Sequence, residues 1–311
     1  MRVVVALGGN AISPAKGSGS AAEMRAALSG TSRLLVDLVE RGVGLVLTHG
    51  NGPQVGRILL QQEAAAPEVP PMPMDVCGAE SQGQVGYLLA QELDSELRRR
   101  GIDTTTLCLV TQVVVDGRDP AFRRPTKPVG PAYDEPQAHR IARETGYVFQ
   151  QQAGGRWRRV VASPLPVRFV EEQPLLQVIE AGHVVIAAGG GGVPVVEAGP
   201  ELRGVEAVVD KDRTAARLAM LVNADLLLIL TEVDRVQTGF GTPAARELHR
   251  LSVAEGRDLL ARGEFPEGSM GPKVDACCDF VEGGGKRAVI AALSCAVEAV
   301  FGDAGTAVTP E

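Results

Sequence analysis

Short apolar runs alternate with longer amphipathic stretches along this chain of 311 residues. Runs rich in Val, Ile and Leu predict strands at 3–7, 44–48, 105–115, 184–188, 224–230 and 288–292. The stretches between them have helical spacing and predict helices at 21–41, 54–65, 80–100, 173–181, 211–222 and 273–283. This alternation favours an α/β fold with an open, mainly parallel sheet covered by helices. Several strands end in glycine-rich turns that open a helix, which is where such folds bind ligands.

One segment, about residues 117–166, interrupts this alternation. It is rich in Pro, Arg and Gly and contains Trp157, the single tryptophan of the chain. Apolar runs at 147–151 and 157–161 flank a turn at 153–155 and predict a β-hairpin. We therefore predict an inserted subdomain that protrudes from the main fold as a lid.

Composition and charge exclude several classes of function. The chain is 45% hydrophobic, which suits one large domain or two lobes. Its net charge is −7, its basic residues are scattered, and only 4% of its residues are aromatic. A nucleic-acid partner is therefore not expected. An anionic ligand must be held by a local site, because the overall field of the protein repels it.

The apolar runs near the N-terminus and at 226–230 are too short for a signal sequence or a membrane span. We therefore expect a cytoplasmic protein without a membrane partner. The five cysteines form no CxxC pair. They predict small buried side chains in the reduced state, and neither a metal centre nor a disulfide framework.

Glycine-rich turns follow the first two predicted strands. Their residues are Gly8, Gly9, Asn10, Gly50, Asn51 and Gly52. Without a Cβ, a glycine lets backbone N–H groups approach an oxyanion closely. Pro53 suits the first turn of a helix, and helix N-termini attract anions. Each turn could simply end a strand, but two neighbouring turns of this kind favour an anion site.

A third run, the four glycines 189–192, ends another apolar strand. A flexible bend would need only one or two glycines. The run therefore indicates close approach by a ligand or by another backbone segment, and Gly190 and Gly191 are candidate substrate contacts.

Lysine usage gives a further signal, because only five of the 31 basic residues are lysine. Lysine provides a compact point charge on a flexible stem, which arginine cannot replace in a tight site. Lys16 and Lys286 lie in glycine-rich loops. The other three occupy distinctive contexts: Lys127 between two prolines in PTKP, Lys211 between two aspartates, and Lys273 after Gly-Pro. Lys211 could instead be a solvated helix start, and Lys127 a surface charge.

Taken together, these motifs resemble the amino acid kinase superfamily and, within it, the carbamate kinases. The resemblance covers nearly the whole chain. The matching stretches, in family order, are VALGGNAI (5–12), HGNGPQVG (49–56), LVTQVVVD (109–116), PTKPVGP (125–131), GGGGVPVV (189–196), GVEAVVDKD (204–212), LILTEVD (228–234) and GSMGPKV (268–274).

One position separates the carbamate kinases from their sister enzymes. Kinases of amino-acid carboxylates usually carry a lysine on the first strand, two residues before the glycine pair, where this chain has Ala6. The resemblance implies that Lys127, on the protruding subdomain, supplies the missing cation. Glu232 and Gly271 depart from residues common in relatives, and both lie near the implied nucleotide site.

The resemblance implies a three-layer αβα sandwich in two lobes, with residues 1–200 binding carbamate or carbamoyl phosphate and residues 201–311 binding the nucleotide. It also implies a homodimer. The activity implied is a phosphotransferase with a carboxy-group acceptor, which converts ATP and carbamate to ADP and carbamoyl phosphate reversibly. The alternatives are a kinase for acetylglutamate or aspartate, and a non-catalytic nucleotide sensor.

We assign roles to the candidate residues on this basis. The two glycine turns, with Asn10 and Asn51, would hold the acceptor and the transferred phosphoryl group. Lys211 would stabilise the transition state, Lys127 would join it from the lid, and Asp212 would orient the lysines. Lys273 would meet the nucleotide phosphates. The nucleotide set also includes Thr231, Asp234 and Met270, although Thr231 and Asp234 could merely cap a turn. Mg²⁺ would arrive with ATP, because the sequence shows no dedicated carboxylate cage.

Overall fold

The structure is a computed structural model that describes residues 1–14, 17–266 and 268–311. Lys16 lies outside these ranges. The strands are β1 (Arg2–Leu7), β2 (Gly44–His49), β3 (Thr106–Cys108), β4 (Gln112–Val115), β5 (Lys127–Tyr133), β6 (Phe149–Gln151), β7 (Trp157–Val161), β8 (Pro166–Phe169), β9 (Val184–Ile186), β10 (Val193–Ala198), β11 (Glu201–Gly204), β12 (Leu226–Thr231), β13 (Val236–Thr238), β14 (Arg246–Leu248), β15 (Arg250–Ser252), β16 (Ala288–Ala292) and β17 (Thr306–Thr309). The helices are α1 (Ala21–Glu40), α2 (Gly52–Ala65), α3 (Met74–Arg99), α4 (Glu135–Thr145), α5 (Glu172–Glu180), α6 (Lys211–Leu221), α7 (Val253–Ala261), α8 (Met270–Glu282) and α9 (Ala296–Phe301).

The main sheet has eight strands in the order β15-β17-β16-β12-β1-β2-β9-β3. Its neighbouring strands run parallel except for the antiparallel pair β16 and β17. The central strands are apolar along their whole length because helices cover both faces of the sheet. The predicted mainly parallel α/β fold is therefore confirmed.

The core lies in two layers, one on each face of this sheet. On one face, alternate strand residues such as Val4 and Ile229 pack against α5, α6 and α8. On the other face, residues such as Val5 and Leu228 pack against α1, α3 and α9. This alternation produces the three layers of the αβα sandwich.

The single strand predicted at 105–115 is wrong, because the chain leaves the main sheet between β3 and β4. There, the buried side chain of Gln82 makes the backbone hydrogen bonds that a neighbouring strand would make. Its Oε1 accepts a hydrogen bond from the Thr111 amide (2.9 Å), and its Nε2 donates to the Thr111 carbonyl (3.1 Å). The chain then continues as β4 in a second sheet, of order β11-β10-β4-β8.

The inserted segment forms a separate three-stranded antiparallel sheet, β5-β7-β6, with α4 against it. The predicted hairpin is confirmed, with Phe149 opposite Arg159 in β6 and β7. Sequence analysis missed β5 and α4. Helix α4 begins at the capping residue Asp134, whose side chain accepts from the Gln137 amide (2.8 Å). That this small sheet acts as a lid remains a prediction, as does the division into two lobes at residue 200.

The base of the small sheet is fixed by a third apolar cluster. Val129 of β5 and Val161 of β7 are buried together with residues of α2 and α3. Tyr133 donates a hydrogen bond to Glu63 of α2 (2.6 Å), and Arg159 pairs with Glu206. These contacts hold the first residue of β5, Lys127, above the carboxyl ends of the main strands.

Among the described residues, no helix is both long enough and apolar enough to cross a membrane. The same residues contain no group of three His, Cys, Asp or Glu side chains placed to bind a metal ion.

Candidate active site

A cleft of about 1200 Å³ opens at the carboxyl ends of β1, β2 and β12. Nearly all residues predicted from the sequence for the site line it. They are Gly8, Gly9, Asn10, Gly50, Asn51, Gly52, Lys127, Gly190, Lys211, Asp212, Thr231, Met270 and Lys273. Gly191 and Asp234 do not line it, and Asp234 is exposed to solvent.

In the turn after β1, only one of the first three backbone amides donates a hydrogen bond to the neighbouring strand. The Gly8 amide donates to the Leu230 carbonyl of β12 (3.1 Å) and is therefore engaged. The chain then forms a 3₁₀ turn at Gly9–Ala11. Within the ranges that the structure describes, the amides of Gly9 and Asn10 donate no hydrogen bond, and both residues are exposed in the cleft. These two amides can bind an anion, whereas that of Gly8 cannot.

The turn after β2 likewise has one amide that is engaged and one that is free. The Gly50 amide donates to the Leu7 carbonyl (3.0 Å), so it too is engaged. Helix α2 then starts at Gly52, and its first hydrogen bond joins the Val55 amide to the Asn51 carbonyl (2.9 Å). The Gly52 amide precedes that bond and lies among the unpaired donors of a helix N-terminus. Asn51 is oriented by its side-chain amide, which donates to Ser81 of α3 (2.7 Å).

The run of four glycines is explained by close packing. Gly190 has a φ of +69°, and a Cβ on it would lie 2.1 Å from Asn51 Nδ2. A Cβ on Gly191, with φ of +98°, would lie 2.1 Å from the Val209 carbonyl oxygen. Gly190 therefore gives Asn51 its place in the cleft. Gly191 lies behind the wall and supports the segment that leads into Lys211.

Lys211, Asp212 and Lys273 form a buried charged cluster on one wall of the cleft. Lys273 Nζ donates to Asp212 Oδ2 (2.9 Å). Lys211 Nζ lies 3.1 Å from Asp212 Oδ1 and donates to the Leu7 carbonyl (3.2 Å). The Lys211–Asp212 contact is an ion pair without an aligned hydrogen bond, since the described residues give Oδ1 no hydrogen-bond donor.

Burial and charge act against each other in this cluster. Burial lowers the pKa of Lys211, and the nearby Asp212 only partly opposes this. Burial would raise the pKa of Asp212, but the two ammonium groups outweigh it and hold that pKa below its usual value. Asp212 therefore keeps its negative charge and contacts both ammonium groups, and that it orients them for the reaction stays a prediction.

Lys127 reaches the cleft from the inserted sheet. Its Nζ donates to Asp210 Oδ2 at 2.7 Å. Asp210 is also the N-cap of α6, because its Oδ1 accepts from the Asp212 amide (3.0 Å). Sequence analysis did not assign Asp210 a role, although the pattern Asp-Lys-Asp was visible.

The end of the cleft near β12 is more apolar. Thr231 and Met270 lie there, together with residues that the sequence analysis missed: Arg235, Gln237, Phe240, Phe265 and Pro266. Phe240 lies between β13 and β14 and is 66% exposed. Phe240 and Phe265 offer apolar surface to a nucleobase, and Lys273 lines the same cleft for its phosphates.

His49 does not act as a base in this cleft. It is buried at the end of β2, and its Nδ1 lies 2.9 Å from the Gly50 carbonyl. Burial, with a smaller contribution from the positive charge of Lys211, lowers its pKa to about 4. The imidazole is therefore neutral near pH 7, and it supports the turn rather than the chemistry.

Comparison with known proteins agrees with this geometry. A model of the amino acid kinase family matches residues 1–292. The chain belongs to the amino acid kinase family. The carbamate kinase of Pyrococcus horikoshii is 49% identical over 311 residues, which cover 99% of each chain. That of Halobacterium salinarum is 50% identical over 99% of this chain and 98% of its own.

A solved structure is similar over the same length. The carbamate kinase of Giardia lamblia bound to AMP-PNP superimposes with a TM-score of 0.92 at 39% identity. The match covers 99% of this chain and 98% of that one. The resemblance drawn from the eight sequence motifs is therefore confirmed for the family and for the fold.

Proposed function

We propose that this member of the amino acid kinase family transfers a phosphoryl group reversibly between ATP and carbamate, giving ADP and carbamoyl phosphate. The observation that carries the proposal is the convergence of three lysines from separate elements on one cleft. Lys211 comes from α6, Lys273 from α8 and Lys127 from the inserted sheet. Both groups that must meet there are anions. Full-length relatives at 44–50% identity that are named carbamate kinases support the same substrate.

The chemistry needs positioning and charge rather than a protein nucleophile. Carbamate is already an anion at neutral pH, so its oxygen attacks the γ-phosphorus without a general base. The transition state spreads negative charge over the transferred phosphoryl oxygens, and fixed cations stabilise it. We assign this role to Lys211 and Lys127, while Lys273 binds the nucleotide phosphates.

The free amides of Gly9, Asn10 and Gly52, with the side chain of Asn51, suit the acceptor and the transferred group. Their residues line the cleft together with Lys211. Ala6, fully buried in β1, provides no cation beneath them. That arrangement favours carbamate over the amino-acid carboxylates, because Lys127 then provides the acceptor-side charge from above.

Magnesium fits this cleft as a companion of the nucleotide. The described residues offer no set of three carboxylate or imidazole ligands. Phosphate oxygens of ATP and water would therefore supply most ligands, as Mg²⁺ prefers. The ion would neutralise part of the phosphate charge, as Lys273 does from the protein side.

The proposal is tested by following ATP formation from ADP and carbamoyl phosphate in a coupled assay. We expect turnover that depends on both substrates. Acetylglutamate and aspartate, assayed with ATP, should give no product. Activity on acetylglutamate without activity on carbamoyl phosphate would show another amino acid kinase. Nucleotide binding without turnover on any acceptor would show a sensor.

We also expect the chain to work as a cytoplasmic homodimer, as its resemblance to the family implies. Sedimentation equilibrium at several protein concentrations measures the assembly directly. A mass of one chain at micromolar concentration would contradict the dimer.

A further inference from the structure

A single carboxylate joins the inserted sheet to the helix that carries the buried cluster. Asp210 Oδ2 accepts from Lys127 Nζ (2.7 Å), and Asp210 Oδ1 accepts from the Asp212 amide (3.0 Å). The side chain of Asp210 is 15% exposed, whereas that of Lys127 is 36% exposed. The lysine is therefore partly open to the cleft, and its partner is largely shielded.

The two aspartates of the Asp-Lys-Asp sequence have different partners. Asp212 faces Lys211 and Lys273 within the main fold. Asp210 forms its ion pair with Lys127, and so it joins the main fold to the inserted sheet.

We propose that Asp210 is a positioning residue for the phosphoryl-transfer reaction, which holds the Lys127 ammonium over the cleft before the anionic acceptor binds. An ammonium group has three N–H donors. One is engaged by Asp210, and the others remain for the acceptor. The proposal rests on the phosphotransferase function proposed above, and it adds a residue that the sequence did not indicate.

The physical basis is the conformational entropy of lysine. A free lysine side chain populates many rotamers, and fixing it on substrate binding opposes that binding. A carboxylate that fixes it beforehand removes most of this cost, which is the general effect of pre-organisation. The gain is realised when the acceptor binds. Loss of Asp210 should therefore raise the KM for carbamoyl phosphate more than it lowers kcat.

The test variant is Asp210→Asn. Asparagine caps a helix as well as aspartate does, so α6 should keep its first turn and the fold should keep its stability. We expect the KM for carbamoyl phosphate to rise about tenfold, with kcat within about threefold of the parent. The matched control is Asp134→Asn, which makes the same change at the N-cap of α4, where the structure shows no lysine partner among the described residues. Its kinetics should be those of the parent.

A double-mutant cycle with Lys127→Ala separates positioning from a merely structural role. If Asp210 acts through Lys127, adding Asp210→Asn to Lys127→Ala should change the KM no further. Equal tenfold effects in both backgrounds would overturn the proposal, and so would a lower KM in Asp210→Asn, which would mean that Asp210 competes with the substrate. The activity of the parent enzyme separates the proposed function from the positioning role of Asp210. An inactive parent would refute the function. Additive effects of the two substitutions on the KM of an active parent would refute only the positioning role.

Discussion

The two aspartate–lysine groups of the cleft differ in burial and in the parts of the structure to which their residues belong. The cluster of Asp212 with Lys211 and Lys273 lies within the main fold, and its side chains are 5%, 13% and 16% exposed. Lys127 and Asp210 bridge the inserted sheet and the main fold, and of these two only Lys127, at 36%, is more exposed than the residues of the cluster. A buried cluster keeps a fixed geometry but depends on every charge in it. A pair with a partly exposed lysine contributes little to stability, even where its carboxylate holds that lysine in place.

The largest expected effect is the loss of stability in Asp212→Asn. This change leaves two buried ammonium groups without their shared carboxylate, and breaking a buried pair typically costs about 3–5 kcal/mol. Urea unfolding near pH 7 measures the free energy of unfolding. Asp210→Asn is the comparison at the pair with the partly exposed lysine, and it should lose at most about 1 kcal/mol. Equal losses in the two variants would remove the distinction between the groups.

Lys211→Ala should have the next largest effect, this time on turnover. Removing one preorganised donor at the transferred group typically lowers kcat about 10²–10³-fold, or roughly 2.7–4 kcal/mol. Lys286→Ala is the control, because Lys286 is 81% exposed and is not among the residues that line the cleft. The coupled assay should show parental turnover for Lys286→Ala. A kcat for Lys211→Ala within a few-fold of the parent would refute the role given to Lys211.

The stability of the protein should also fall in mild acid because of His49. Its pKa of about 4 lies below the ordinary value of 6.5, so the unfolded chain binds the proton first as the pH falls. The stabilisation that depends on the neutral imidazole is complete above about pH 6.5. As the pH falls from 6.5 to about 4, the free energy of unfolding decreases by about 3 kcal/mol at most. Unfolding free energies measured across that range should therefore depend less on pH in His49→Gln than in the parent. An unchanged pH dependence in His49→Gln would contradict the assignment.

The smallest effect should come from Lys127→Ala. A hydrogen bond from a partly exposed charged group contributes about 1.5–3 kcal/mol, which corresponds to a loss of about 10- to 150-fold in kcat/KM. The coupled assay at low carbamoyl phosphate measures this ratio. A loss larger than that of Lys211→Ala would mean that the lysine of the inserted sheet, and not the buried cluster, provides most of the transition-state stabilisation.

Much of the fold and of the site could be predicted because their signals are local. The strands that end in glycine turns, and the three lysines in an arginine-rich chain, are visible in short windows of sequence. The amides that are free to bind an anion could not be predicted. Gly8 and Gly50 are engaged by Leu230 and Leu7, and these hydrogen bonds depend on which strands become neighbours in the sheet.

The interaction of Lys127 with Asp210 could not be predicted from the sequence, for the same reason. These residues are 83 positions apart, and they meet only because Val129 and Val161 anchor the small sheet on α2 and α3. The strand predicted at 105–115 failed because one buried glutamine side chain, Gln82, replaces its ladder. Contacts of this kind follow from packing and not from periodicity.

Direct transfer between two anions, with no phosphorylated side chain, is the central chemical claim for this cleft. The stereochemical course of the reaction tests it most directly, using ATP analogues made chiral at the γ-phosphorus by sulfur and oxygen isotopes. One in-line displacement inverts the configuration, and we predict inversion in the carbamoyl product. Retention would require two displacements through a phosphorylated enzyme, and it would contradict the mechanism.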